Sequence, residues 1–334
     1  MEIWVLGALG RTGRAITAEL TARGLPAVLV GRNRERLEAT GSKYVVADGV
    51  EAIAAEIRRQ RPTVVINTIG EYAATAATIA RAALPGGHYV DMAADPVAVQ
   101  RLLDLHEEAL AGGSTFVTGA GFGVLATEGV VAKLCEGRDT PSHVQVDALA
   151  SVAVEEGTVG VALAASIVDA MTAVSAGGAR PRTLVLPDGE TAKVAGIDSG
   201  ELIAARRASG TPDVTVSSGL APTAPLVRAL LPLLGRLVSI PAVRRFAVRR
   251  LAAIRTKAAP RPRTHTWGHA VVTWPDGSAR EGWLRAGEAM DFTAAVVAET
   301  AARLARGEGK PGAHTPASAL GADLAEAAGG TFLL

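Results

Sequence analysis

The chain is 334 residues long, enough for two domains that each bury a core. Apolar residues make up 49% and charged residues 20%, and 34 basic against 33 acidic side chains leave a net charge of +1, so overall charge does not argue for nucleic acid. A single cysteine, Cys135, excludes an intramolecular disulfide and a multi-cysteine metal cage, which suits a reducing cytoplasm.

The apolar stretch Ile3–Leu9 is too short and wrongly flanked for a secretory signal, and the longest uncharged run, Ala109–Thr127, is interrupted by glycines. A soluble, cytoplasmic protein is expected. Ile3–Leu6 reads as a first strand, followed by a helix to about Arg23 that Gly24-Leu25-Pro26 breaks. Ala27–Gly31, Tyr44–Ala47, Thr63–Thr68, His88–Met92 and Thr115–Thr118 are the next strands. Between them the pattern predicts helices over Val50–Arg59, Tyr72–Leu84 and Val97–Leu110. Continuous apolar strands alternating with helices indicate an α/β fold, a doubly wound parallel sheet covered on both faces.

After Gly123 the rhythm changes. His143–Val154 alternates like a half-exposed strand, and Thr158–Val174 is an Ala-rich helical stretch. Two hairpins share a Pro-Asp-Gly turn, at Pro187–Gly189 and Pro275–Gly277. Thr293–Ala305 forms a helix, and Thr315 with Pro316 starts another that ends near Gly329. The expected division is a first domain over residues 1–123 and a mixed α+β substrate or dimerisation domain over 124–305.

The strongest local signal is Gly7-Ala8-Leu9-Gly10-Arg11-Thr12-Gly13, set directly after a strand and opening a helix. Glycines so placed permit a tight turn, close approach of backbone to a pyrophosphate and close helix–sheet packing, while the helix N-terminus offers free N–H groups. In this context the loop predicts a Rossmann-type dinucleotide site; an ordinary structural turn is the alternative. An NAD site would place Asp or Glu at the end of the second strand. This chain has Gly31-Arg32-Asn33-Arg34, and a guanidinium at Arg32 suits a 2′-phosphate, pointing to NADP(H). Asp48 is a candidate partner for the adenine amine or a helix cap. The Asn67-Thr68-Ile69-Gly70 turn lies where ligands bind in open α/β sheets, beside the expected nicotinamide ribose.

GALGRTG, LVGRNRERL, NTIGEY and GGHYVDM together resemble the saccharopine dehydrogenase-like oxidoreductases, a group that includes trans-acting enoyl reductases. GAGFG at Gly119–Gly123, DFTA at Asp291–Ala294 and KPGAHTPASALG at Lys310–Gly321 agree, so the resemblance touches most of the chain. It implies an N-terminal Rossmann domain, a C-terminal mixed domain, last helices (about 306–334) that return to the first domain, and hydride delivery by NADP(H). Phe122, in the glycine-rich stretch, then joins the substrate side. A classical short-chain dehydrogenase is excluded, because Asp48, Ala76 and Ala93, not lysine, stand four residues after the tyrosines Tyr44, Tyr72 and Tyr89.

Hydride transfer to C=C or C=N also needs a proton source. Tyr72, just past the NTIG turn, and Asp91, at the end of the fifth strand, are the candidates, with helix packing and helix capping as their alternatives. Glu155, Glu156 and Thr158 line either the substrate side or a solvated loop. His265 and His269 alternate onto one strand face with Trp267, too far apart for one metal ion, so a polar substrate wall or an exposed sheet face is expected and no metal. Cys135 reads as an apolar filler in a helix.

Between Asp213 and Asp276 ten basic residues occur and no acidic one, from Arg228 to Arg263. There Val243, Phe246, Ala247, Leu251 and Ile254 follow helical spacing beside an arginine face. Three readings stand: a solvated helix at a domain or homodimer surface, a dock for an acyl or peptidyl carrier or CoA-like anion, and a peripheral anionic membrane surface. The composite expectation is an NADPH-dependent reductase of a small or carrier-bound metabolite. Its alternatives are a non-catalytic NADP(H)-binding redox sensor and a saccharopine-type C–N dehydrogenase.

Overall fold

The computed structural model describes residues 2–154, 156–160, 164–165, 167–168 and 180–334. The chain forms two compact units, one comprising the segment up to Leu125 with Met290–Gly330, the other Ala126–Ala289 with Thr331–Leu334. Two features differ from the expected division. Met290–Ala305 belongs to the first unit, and the last strand, Thr331–Leu333, pairs in the sheet of the second.

In the first unit β1 (Ile3–Leu6), β2 (Ala27–Gly31), β3 (Tyr44–Val46), β4 (Val64–Asn67), β5 (His88–Asp91), β6 (Thr115–Val117) and β15 (Gly312–His314) form one sheet. Its order is β15-β6-β5-β4-β1-β2-β3 and every pair is parallel. The order reverses between β1 and β4, so a crevice opens beyond their carboxyl ends. All four residues of β1 and of β4 are buried, which explains their unbroken apolar character. Trp4, Leu6, Val30, Ile57, Val65, Ile79, Tyr89 and Phe116 share a core with helices Val50–Gln60 and Tyr72–Ala82.

Helix Arg11–Ala22 buries Gly13, Ile16 and Leu20 at helical spacing. It stops as expected at Gly24 (φ +71°), where Leu25 N–H donates to Leu20 O (2.9 Å) and Gly24 N–H to Thr21 O (3.0 Å), a Schellman closure. Two predicted helices are each divided. Val97–Leu110 is Pro96–Leu103 and His106–Ala111, with Leu105 buried at the joint. The C-terminal helix is Pro316–Leu320 and Leu324–Ala327, interrupted at Gly321, whose φ of +92° no helix continues through.

The second unit carries a mixed sheet of order β16-β14-β13-β7-β11-β10-β9. Its strands are β7 (His143–Leu149), β9 (Arg182–Val185), β10 (Thr191–Gly196), β11 (Val214–Ser218), β13 (Thr266–Thr273), β14 (Ala279–Ala286) and β16 (Thr331–Leu333). Both Pro-Asp-Gly hairpins form, with Gly189 at φ +84° and Gly277 at φ +82°. β7 lies between β11 and β13 and is buried continuously from Val146 to Leu149, shorter and more central than the half-exposed strand expected over His143–Val154.

His269 is another correction. It is only 3% exposed, stacked on Trp283 (3.9 Å between ring centroids), with Nδ1 2.8 Å from Asp147 Oδ2 and Nε2 3.0 Å from Glu281 Oε1. His269 is therefore not on an exposed sheet face: Trp267 and Trp283 join Leu149, Leu186 and Val194 in a core over that side of the sheet. Gly157–Thr158 forms a short ribbon (β8) with Arg255–Thr256 (β12), so the helix expected from Thr158 does not begin there. Ala164, Ala165, Ile167 and Val168 are helical, Val159 and Gly160 are not, and the other residues of the expected helix after Gly160 lie outside the described ones.

Candidate dinucleotide site

The glycine loop between β1 and helix Arg11–Ala22 divides its tasks among three positions. Gly7 adopts φ +72°, donates its N–H to Val30 O (2.9 Å), and leaves room for a Cβ only 2.9 Å from Thr68 Oγ1. Gly10 is the helix N-cap, donates to Gly7 O (2.9 Å), and supplies no side chain over the first turn. A Cβ on Gly13 would stand 2.5 Å from Gly7 O and 2.7 Å from Ala8 Cα, so only glycine lets the helix sit this close to its loop. No acidic residue occupies the helix's first turn, leaving its positive end available to an anion. Leu9, Arg11 and Thr12 complete the loop. Arg14 Nη1 donates to Leu9 O (2.7 Å), a brace that the sequence pattern does not announce.

The loop after β4 packs directly on this one, with Thr68 and Ile69 beside Gly7. Thr68 Oγ1 donates to Leu6 O (2.7 Å), and its N–H to the same oxygen (3.2 Å), which fastens the turn to the end of β1. Ile69 N–H donates to Asn67 Oδ1 (3.1 Å), Gly70 takes φ +78°, and Glu71 is held in left-handed geometry at φ +45°. Asn67 Nδ2 donates to Tyr89 Oη (2.9 Å), which donates to Asp91 Oδ2 (3.0 Å). Asp91 Oδ1 accepts from Thr118 Oγ1 (2.8 Å), Ala93 N–H (3.0 Å) and Gly119 N–H (3.3 Å). One buried chain of polar groups thus ties together the loops after β4, β5 and β6. The NTIG and HYVD segments contain Asn67 and Tyr89, but nothing in their spacing shows that they meet.

Asp91 is fully buried with both oxygens engaged. Burial raises its carboxyl above the ordinary Asp range, and its hydrogen bonds oppose the rise. It neither caps a helix nor offers a free oxygen to substrate, so it is an anchor of the loops and not a direct proton donor. Tyr72 opens helix Tyr72–Ala82, packs against the first core, and holds its phenolic proton firmly. Burial and the nearby Asp91 raise its pKa, with a Met92 backbone hydrogen bond opposing them.

At the end of β2, Arg32 is exposed and has no ion pair among the described residues. Its neighbours are committed elsewhere. Asn33 caps helix Arg34–Glu38 by accepting from Arg36 N–H (2.9 Å), and Arg34 lies 3.6 Å from Glu38 and 3.4 Å from Tyr44 Oη. Asp48 is exposed after β3 and does not cap the next helix, whose N-cap is Gly49.

Phe122 is a core residue, its N–H donating to Thr293 Oγ1 (3.1 Å) and its ring set edge-on to Phe292. Thr158 is exposed in the second unit's ribbon, paired with Arg255, and Glu155 lies outside the described residues. Cys135 ends helix Phe122–Cys135 half-buried, its thiol pKa raised by burial. Among the described residues no three His, Cys, Asp or Glu side chains converge as a metal set.

The sheet order and the glycine cradle at a helix N-terminus define a Rossmann-type, nucleotide-binding fold joined to a second, mixed-sheet unit. More particularly, the fold is that of saccharopine dehydrogenase. The chain is similar to saccharopine dehydrogenase (L-Glu forming) from Saccharomyces cerevisiae, with TM-score 0.62, 11% identity and full coverage of both chains. A probable dehydrogenase from Thermotoga maritima aligns over 98% of this chain and 94% of its own at TM-score 0.44 and 11% identity. Serine dehydrogenase from Escherichia coli aligns over 35% of this chain and 81% of its own, at TM-score 0.30 and 16% identity. No family model matches the chain. No curated protein matches it by sequence.

Proposed function

We propose that the chain is an NADPH-dependent oxidoreductase that reduces an activated C=C or C=N bond of a small or carrier-bound metabolite. The observation that carries the cofactor assignment is Arg32: a guanidinium with no ion pair among the described residues, at the strand end where an NAD site would hold a carboxylate. Gly7, Gly10 and Gly13, with the backbone of Leu9, Arg11 and Thr12, would hold the pyrophosphate. Arg32 would take the 2′-phosphate, with Asn33 and Arg34 flanking it. Asp48 would serve the adenine, and Thr68, Ile69 and Gly70 the nicotinamide end. When bound, the cofactor supplies hydride.

Tyr72 is the proton donor of this reading because it opens the helix that directly follows the Asn67–Gly70 turn at the nicotinamide end; its raised pKa keeps the phenol protonated and makes it a weaker acid than a free tyrosine. Asp91 is a positioning residue that holds the loops through Tyr89 and Thr118. Replacing Tyr72 with Phe should lower turnover about a hundredfold or more while NADPH binding stays within about twofold. The whole-chain fold likeness favours one second reading, a saccharopine-type dehydrogenase acting on a C–N bond. NADPH oxidation with an enoyl acceptor, against oxo-acid plus amine, separates the two. A non-catalytic redox sensor would turn over neither.

The first experiment is a titration with NADPH and NADH of wild type and Arg32→Ala. The expected result is a loss of NADPH affinity of about tenfold or more, roughly 1.4 kcal/mol, with NADH little changed. Failure to bind either nucleotide would reduce the glycine loop to a structural turn.

A further inference from the structure

Helices Pro225–Val238 and Pro241–Ala252 leave an apolar surface uncovered by any described residue. On the first helix Leu231 and Val238 are buried, and Val238 packs with Ala164, Ala165, Val168 and Val248. At 100° per residue, Val227, Leu230, Leu233, Leu234 and Leu237 fan over an adjoining arc of roughly 120°. Each is between 39% and 57% exposed. Ile240, between the helices, and Phe246, on the second, extend the surface, Phe246 being 63% exposed.

Basic groups border this surface. Arg236 stands at the edge of the arc, and Arg245, Arg249 and Arg250 surround Phe246, with the Arg250 guanidinium 5.7 Å from the ring centre. These four arginines have no ion pair among the described residues. Neither helix contains Asp, Glu, Ser, Thr, Asn or Gln.

We infer that this helix pair is a docking surface for an anionic lipid bilayer. Hydrocarbon accommodates the leucine arc, and headgroup phosphates match the guanidiniums at its margin. A second copy docked helix pair on helix pair would bring these arginines no carboxylate, since neither helix has one. A folded protein partner would need polar groups to set its register, and the two helices supply only guanidiniums. No helix among the described residues is long and apolar enough to cross a membrane, so the contact lies in the interface plane.

The test is flotation of the full chain with vesicles of phosphatidylcholine alone and of phosphatidylcholine with phosphatidylglycerol. Wild type should float with the anionic vesicles, less so in high salt, and remain behind with the neutral ones. Leu230→Ser/Leu237→Ser and Arg245→Glu/Arg249→Glu should each lose about tenfold or more in vesicle affinity, with circular dichroism and NADPH titration unchanged. Absence of flotation, equal flotation with neutral vesicles, or equal flotation of folded variants would overturn the assignment. So would a dimer in solution that either variant dissociates, or binding of a soluble acidic carrier protein in place of vesicles.

Discussion

Gly13 has no space for even one added carbon. The obstructing atoms at 2.5 and 2.7 Å are backbone atoms of its own loop, so a methyl group can be admitted only by moving helix Arg11–Ala22 off the sheet. Gly13→Ala should therefore cost about 1–3 kcal/mol, seen in urea unfolding, and abolish NADPH binding through the displaced helix end. Asp91 presents a different case. Its folded pKa is raised by burial, so its ionised form is disfavoured in the folded state and the associated stability falls as pH rises above the ordinary Asp value of 3.8 toward the raised one. Asp91→Asn removes that titration. The stability of wild type relative to Asp91→Asn should decline with rising pH across this window. Asp91→Ala strands Tyr89, Thr118 and two backbone donors, at about 2–4 kcal/mol.

Elements far apart in sequence are joined in the first unit by a linked set of charges. Glu299, on helix Ala289–Ala305, lies 2.5 Å from Arg23 beyond helix Arg11–Ala22 and 3.0 Å from Arg303, with its side chain 14% exposed. Arg303 also reaches Asp323 at 2.9 Å. This chain of charges, with β15 beside β6, secures a segment that returns from the far end of the polypeptide. Glu299→Ala would leave Arg23 and Arg303 partly buried without it, so the urea midpoint should fall by the equivalent of about 1–3 kcal/mol. Glu299→Gln should cost less. Local sequence could not show this attachment, because i, i+4 pairs are visible in a helix pattern and an ion pair spanning most of the chain is not.

At the scale of the whole molecule, each unit has its own sheet and core, and the nucleotide site proposed above lies in the first. NADPH at a hundredfold its Kd should stabilise that unit by about 2.7 kcal/mol, and Arg32→Ala at the same concentration should keep only about half of this. Calorimetry with and without nucleotide reads both values.

The sequence by itself determined the six N-terminal strands, the glycine loop, the helix stop at Gly24 and both hairpin turns. Each depends on signals confined to a few residues: apolar runs, positive-φ glycines and Pro-Asp-Gly turns. It also placed the arginine at the end of β2. The tertiary structure alone decided that Asp91 is enclosed, that Phe122 belongs to a core and that His269 stacks beneath Trp283. The return of the segment up to Gly330 was implied by the family resemblance, whereas the structure decided that it starts as early as Met290 and that Thr331–Leu333 joins the second sheet. Those outcomes depend on contacts between residues distant in the chain. A side chain's burial is set by what packs over it, and short-range pattern has no term for that.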